Sequence, residues 1–488
     1  MRQTWERSRR IVGDFANLTG NTLIFRLLMV VVLLAPLPLG ANRPWAWSMM
    51  AVAVGLLCGV WGVLAAVGKA QAPLPFRRLW PVAVPFAVVL AWACAQASSL
   101  LPSELWHPLW MAAQPALEIV GEIVGGTEAV GTVSADPAMT RAAILRLATY
   151  GGIFWLAVQL ACDRKRAREA LILMAAASTL YAVYGLTAYF SGAKTILWMS
   201  KWAYVDDLTS TFVNRNAYGA YAGLGMVFCI ALFLHALRPS SRPSAPRAYE
   251  MAETFLVHAL PYLLALVILG SALLLSHSRG AFISTGAALA VLMIALVTGR
   301  IVRPRTGLLS AFLVLGVGFA ILGVSGDRMV QRFANESAQD HDEERLSAYH
   351  LTMRAIEDAP LTGTGLGAFT PTFRLYRDAS LSRAVDWDYA HNIPLEMGLD
   401  LGLPAAALFY LCLAVIFGVC VRGLIVRRRD GIYPAAALGA ATLLGAHGLV
   451  DFSAQMPAIA AMLAMILGIG YAQSWNTADR HRNSGEPA

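Results

Sequence analysis

Apolar runs of about twenty residues recur along this chain, which is the length an α-helix needs to cross the hydrocarbon of a bilayer. They fall near 23–40, 45–67, 79–97, 141–160, 169–190, 215–237, 254–275, 281–299, 307–324, 392–421, 432–448 and 456–474. Inside lipid every backbone N–H and C=O must find a partner within its own segment, so such runs fold as helices. The pattern predicts an all-α polytopic membrane protein with about 12 transmembrane helices. Composition agrees, because 57% of the 488 residues are hydrophobic and only 14% are charged, too few to cover a soluble domain of this size. The six cysteines lie in or beside the apolar runs without a CxxC pair, the pattern of buried thiols rather than disulfides or metal ligands.

The loops set an orientation, since cytoplasmic loops are enriched in Lys and Arg. Arg2, Arg7, Arg9 and Arg10 precede the first span; Lys69, Arg77 and Arg78 follow the second; Arg164, Lys165, Arg166 and Arg168 follow the fourth. Basic residues also follow spans six (Arg238, Arg242, Arg247), eight (Arg300, Arg303, Arg305), ten (Arg422, Arg427, Arg428, Arg429) and twelve (Arg480, Arg482). The loop 98–140 instead carries Glu104, Glu118, Glu122, Glu128 and Asp136. Both termini are therefore expected in the cytoplasm, with no removable leader ahead of the run from Leu23 to Gly40. The net charge of +8 is spent on these clusters and does not point to nucleic acid.

Three regions follow: 1–324 with nine spans and an N-terminal cytoplasmic tail, a large outer loop at 325–391, and 392–488 with three spans and a C-terminal cytoplasmic tail. Within the loop, Leu346, Tyr349, Met353 and Ile356 recur at helical spacing, predicting an amphipathic helix from Glu343 to Asp358 on the membrane surface. Ala359-Pro360 ends it, ahead of a turn rich in glycine (Gly363, Gly365, Gly367).

Ionisable residues at membrane spans are costly and mark candidate sites. Here they gather at the outer ends: Arg215 beside Asn214 and Asn216, Arg279 in the tight turn Ser276-His-Ser-Arg-Gly280, His391 and Asn392 after Asp386 and Asp388, and His447 with Asp451. Arginine presents a permanent charge and a planar fork of donors that suits phosphate oxygens. Two of them at the outer leaflet would hold a diphosphate whose lipid tail stays in the bilayer, although each taken singly also suits snorkelling to headgroups. His391 is the best general base of the chain, against the alternative of a capping or hydrogen-bonded interfacial histidine. Gly363-Thr-Gly-Leu-Gly367 has no strand before it and is set aside as a nucleotide loop. Asp386, Asp388 and His391 lack a second histidine at ligand spacing, so no metal and no cofactor are expected.

At these residues the sequence resembles the O-antigen ligase and O-antigen polymerase superfamily, membrane enzymes acting on polyprenyl-diphosphate-linked glycans. The resemblance lies in Thr211-Phe-Val-Asn-Arg-Asn-Ala-Tyr-Gly219, Ser278-Arg-Gly-Ala281, Arg345, Pro360 with Gly363–Gly367, His391-Asn392 with Gly398 and Gly402, and His447-Gly-Leu-Val-Asp-Phe452 with Pro457. It covers about residues 210–460.

The resemblance implies a glycosyltransferase of the bacterial inner membrane with its site facing the periplasm. Arg215 and Arg279 would grip the diphosphate, and His391 would deprotonate an acceptor hydroxyl that attacks with inversion. Arg345 would add a phosphate or sugar contact, with Asp386, Asp388, Asn392, Asn214 and Asn216 as further substrate-binding residues. The donor would be a polyprenyl-diphosphate-linked saccharide, the acceptor a glycan or lipid, and other polysaccharide-assembly membrane proteins would be further partners. Two alternatives stay open, a protein O-oligosaccharyltransferase and a lipid-linked saccharide transporter or flippase. A transporter would place its ionisable residues near the midplane on interrupted helices.

Overall fold

The computed structural model describes residues 20–124, 130–237, 253–305, 336–382, 386–427 and 430–475. Within them the chain forms α1 (Gly20–Leu34), α2 (Pro44–Ala66), α3 (Phe76–Gln96), α4 (Pro108–Val124), α5 (Pro137–Leu160) and α6 (Arg164–Phe190). A two-residue antiparallel hairpin, β1 (Thr195–Ile196) with β2 (Met199–Ser200), leads into α7 (Arg215–Ala236). Next come α8 (Leu260–Leu275), entered through a π-helical turn over Thr254–Ala259, and α9 (Arg279–Thr298). The rest comprises α10 (Glu336–Asp358), α11 (Phe369–Tyr376), α12 (Ile393–Leu401), α13 (Leu403–Val426), α14 (Ile432–His447) and α15 (Pro457–Gln473).

The chain is thus an all-helical, multi-pass membrane protein. Eight helices among the described residues are long and apolar enough to cross a bilayer: α2, α3, α5, α6, α7, α8 with its π turn, α9 and α13. Of the twelve expected spans, those at α1, α14 and α15 are shorter helices of 15, 16 and 17 residues, and the one near 307–324 lies outside the described residues, as do both terminal basic clusters.

Two expectations need correction. The run 392–421 is not one helix, because Gly402 (φ 78°) breaks it into α12 and α13. A φ in that range suits glycine, and a Cβ there would strike the Leu361 carbonyl. The loop helix begins at Glu336 rather than Glu343, and its packed face is not the expected stripe. Ala348, Leu351, Ala355 and Ile356 are buried against α11 and α12, whereas Leu346 and Met353 are exposed. The acidic loop 98–140 also contains the apolar helix α4, which the charge pattern had hidden.

α7 forms the centre of the bundle. Its side chains from Ala217 to Leu234 are buried, with the exception of Met226, and α6, α8, α9 and α14 pack on it. Small residues make this possible, since close approach of backbones replaces the hydrophobic drive that is absent in lipid. A Cβ on Gly219 would stand 2.8 Å from Ala281 Cβ, and one on Gly225 2.6 Å from Ser178 Cβ.

The loop helices build a second, smaller core of Ala348, Leu351, Phe369, Phe373, Leu381, Trp387, Ala390 and Leu399. The glycine turn clasps it to the bundle. Thr364 N donates to Leu399 O (2.9 Å), Gly365 N to Asp400 O (2.9 Å) and Gly367 N to the Asp400 carboxylate (2.6 Å), while Thr364 O accepts from Ala135 N (2.9 Å). Its three glycines all have positive φ, and its donors are consumed by protein.

Candidate active site

Three helix starts converge at one end of the bundle. Asn214 caps α7, accepting from Asn216 N (2.7 Å) and Ala217 N (3.0 Å), which leaves Arg215 as the first helical residue. Ser278 caps α9 in the same way, with Arg279 first in that helix. Helix N-termini carry unpaired N–H groups and the positive end of the helix dipole, so each arginine adds its charge to an end already suited to anions.

Asp207 ties the two starts together. Its carboxylate accepts from Arg215 Nη1 through Oδ2 (2.8 Å) and faces His277 Nδ1 through Oδ1 (2.8 Å). His277 sits in the left-handed region (φ 53°) in the turn that leads to Arg279. The Tyr204 ring covers the Arg215 guanidinium, 5.3 Å from its carbon. Asp207 and His277 are buried, whereas Arg215 keeps part of its surface open. Gly280 then lets α9 meet α14, because a Cβ there would lie 3.2 Å from the His447 ring.

Asp451 joins this cluster to the segment that carries His391. It is 1% exposed, accepts from the Asn216 amide, and takes Phe452 N (2.7 Å) and Ser453 Oγ (2.9 Å) on its other oxygen. The turn carrying it also receives the start of α12, since Ile393 N donates to Gly448 O (2.7 Å) and the Asn392 amide to Leu449 O (3.0 Å). Asn392 caps α12 through Leu395 N (3.1 Å).

His391 is thereby set beside Asp451. Its φ is 53°, its carbonyl accepts from Tyr349 Oη (3.0 Å), and its ring lies edge-on to Trp387 (5.6 Å) and Phe452 (5.0 Å). Burial between these aromatics pushes the imidazole well below its ordinary 6.5, to about 4; the Asp451 carboxylate pulls the other way and the Arg345 cation adds to the fall. At neutral pH the ring is therefore neutral, with a lone pair free to accept a proton but of lowered basicity. The Arg345 charge reaches Tyr204 as well, so α10 contributes a third cation to the same space.

Arg215, Arg345, His391, Asn214, Asn216 and Asn392 are thus gathered at one end of the bundle, with Arg279 on the turn beside them. Asp386 and Asp388 are not gathered there. Asp386 is 75% exposed and lies 3.9 Å from Arg377, while Asp388 is exposed and contributes its carbonyl to Thr370 Oγ1. His391 Nδ1 is buried and bonds neither carboxylate, so the aromatic walls and the cap orient the ring instead. Trp387, between the two aspartates, is the buried member of that motif.

Three contributors escaped the sequence reading. Asp207 and Tyr204 lie in an outer loop where nothing distinguishes Asp207 from Asp206. Glu396 did leave a signal, being a carboxylate inside an apolar run. It is buried, accepts Ala390 N (2.9 Å) and Gln455 Nε2 (2.8 Å), and so fixes the backbone just before His391. Among the described residues no group of three or more His, Cys, Asp or Glu side chains is placed to hold a metal ion.

The fold and site define a multi-pass helical membrane protein with a cation-lined, histidine-containing site at one end of its bundle. Residues 264–410 match the O-antigen ligase family model, which places this region in the O-antigen ligase superfamily. Arg279, Arg345, His391 and α12 fall inside the match, and Asp207, Arg215, His447 and Asp451 outside it. No curated protein matches the chain.

Proposed function

We propose that this protein transfers a glycan on the periplasmic face of the inner membrane, from a polyprenyl-diphosphate-linked saccharide to an acceptor hydroxyl, as a polymerase or ligase of O-antigen or exopolysaccharide. The observation that carries the reading is His391, half-buried between Trp387 and Phe452, fixed beside the end of the bundle where Asp207 joins the Arg215 helix start to the turn of Arg279.

In this mechanism Arg215 and Arg279 hold the diphosphate, and Arg345 adds a further contact. His391 takes the proton of the acceptor hydroxyl as its oxygen attacks the anomeric carbon. The bond from that carbon to the diphosphate oxygen breaks, and the leaving diphosphate carries the electron pair. The arginine charges stabilise it more as that charge grows, which is the differential stabilisation that accelerates a reaction. Attack opposite the leaving group inverts the anomeric centre.

The test uses purified protein, a polyprenyl-diphosphate-linked saccharide and candidate acceptors, with a chelator present. Wild type should give extended or transferred glycan, and His391→Ala and Arg279→Ala should lose that product while remaining folded. The acceptor consumed separates polymerase, ligase and protein glycosylation. Intact donor crossing vesicle membranes, with His391→Ala unimpaired, would replace this reading with a flippase.

A further inference from the structure

Arg146 stands inside a helix long and apolar enough to span the bilayer, yet the mechanism above does not use it. A buried or membrane-embedded cation is costly unless it is paired. Among the described residues Arg146 makes no hydrogen bond and no ion pair, and its one ring contact is with Trp47, 5.7 Å from the guanidinium carbon to the ring centre. Two carboxylates are its electrostatic neighbours, Glu396 and Asp400, but neither comes within ion-pair distance. Both are engaged elsewhere: Glu396 by Ala390 N and Gln455, and Asp400 by Gly367 N. A cation that only balanced these acids would be expected to reach them.

Its place in the fold is equally specific. A Cβ on Gly367 would stand 3.9 Å from Arg146 Nη2, so the guanidinium lies against the glycine turn. Around it, Asp400 Oδ1 and Tyr150 Oη are buried without a partner, and Asp400 is 2% exposed. Tyr150 Oη can donate to an incoming anion, whereas the Asp400 oxygen, an acceptor, calls for a donor such as water or a saccharide hydroxyl. Tyr389, within reach of the Arg146 charge, stacks on Phe452 (4.1 Å, 9°), the same ring that His391 meets edge-on. Asp451, next to Phe452, faces Asn216 and the α7 start. The site therefore has two cationic flanks joined at Phe452: the donor arginines on one side, and Arg146 with Trp47 and Tyr389 on the other.

We propose that Arg146, with the indole of Trp47 beside it, anchors the acceptor subsite by binding an anionic group, a phosphate or a carboxylate, carried by the acceptor glycan or its lipid. This rests on the transferase reading. The donor diphosphate is already met by Arg215 and Arg279, and the acceptor hydroxyl must arrive at His391 from the other flank. An aromatic face beside a guanidinium fork suits a charged saccharide, whose ring can lie on the indole while its anion meets the fork.

The test is steady-state transfer by the full chain in detergent, with the acceptor that wild type consumes and with donor and acceptor varied in turn. Arg146→Ala should raise the acceptor KM at least tenfold and leave the donor KM within twofold; Arg146→Lys should recover part of the loss. Wild type given an acceptor stripped of phosphate, or one with esterified carboxylates, should show the same rise, and the effective treatment names the anion. That arm needs no variant, so misfolding of Arg146→Ala cannot shield the proposal. An acceptor KM indifferent to both treatments, or donor and acceptor KM rising together in a folded Arg146→Ala, overturns the subsite. A folded Arg146→Ala that transfers with the wild-type acceptor KM overturns the subsite alone; a wild type that consumes no acceptor removes the transferase reading as well.

Discussion

The arginine end of the bundle and the seat of His391 are built by different means. Arg215 and Arg279 begin helices that are packed into the centre of the protein, and their starts are locked by the buried Asp207–His277 contact. His391 belongs to a loop with its own small aromatic core, held to the bundle by a glycine clasp and by two hydrogen bonds at the start of α12. Gripping a leaving diphosphate requires fixed charges, because stabilisation is lost when donors must reorganise. On the proposed reading, seating a base requires a ring held in place and a route for the acceptor to reach it; burial keeps the imidazole neutral and also lowers its basicity. The comparison predicts that damage at the arginine end destabilises the bundle, whereas damage at the histidine mainly costs rate.

The largest effect should come from His391→Ala, with kcat reduced about 10²–10⁴-fold, the usual worth of a general base, and thermal unfolding within a degree or two of wild type. A large loss of stability would break the comparison by making the loop part of the bundle core. Arg279→Ala follows, with a loss of about 10²–10³ in kcat if it stabilises the leaving charge. Asp207→Asn should act on both stability and rate. A neutral amide cannot balance Arg215, and the change should cost about 1–3 kcal/mol of stability, seen as a lower midpoint in thermal unfolding. Gly219→Ala forces α7 from α9 and should cost a similar 1–3 kcal/mol, with the midpoint falling while the pH dependence of transfer stays unchanged.

The smallest effect, and the one that sharpens the comparison most, concerns pH. His391 is pushed down to about 4 by burial, so the folded protein binds this proton less readily than the unfolded chain. Between the ordinary value and about 4 the unfolded state holds more protons, and the contribution to stability is therefore complete above pH 6.5 and declines as pH falls through that window. Activity should follow the same direction. The acid limb of kcat/KM should lie below 6 rather than at 6.5, and a limb at 6.5 would mean that His391 is solvated in the working enzyme.

Much of this site was legible in the sequence, and the reasons are local. A run of apolar residues declares a helix through its own transfer energy, and an arginine or histidine at the end of such a run is conspicuous because it is expensive there. Arg215, Arg279 and His391 stand out in the sequence for that reason; Asn214 and Asn392, expected beside them as substrate-binding residues, are N-caps of α7 and α12 in the structure. The same signal marks Asp386 and Asp388, whose side chains are exposed, Asp386 lying beside Arg377.

What only the tertiary structure decided are the pairings across distance. Asp206 and Asp207 are adjacent, and their sequence surroundings are alike. Asp206 is exposed and 3.6 Å from Lys194, whereas Asp207 is buried between Arg215 and a histidine 70 positions away. Asn216 reaches Asp451 across 235 positions, and Phe452 unites His391 with Tyr389 through a turn from another part of the chain. The burial that keeps His391 neutral belongs to Trp387 and Phe452 together. Hydrophobic periodicity determines that a segment is a helix, because every residue contributes to it independently. Which side chains share a pocket depends on how helices pack, and that is a property of the whole bundle rather than of any window along it.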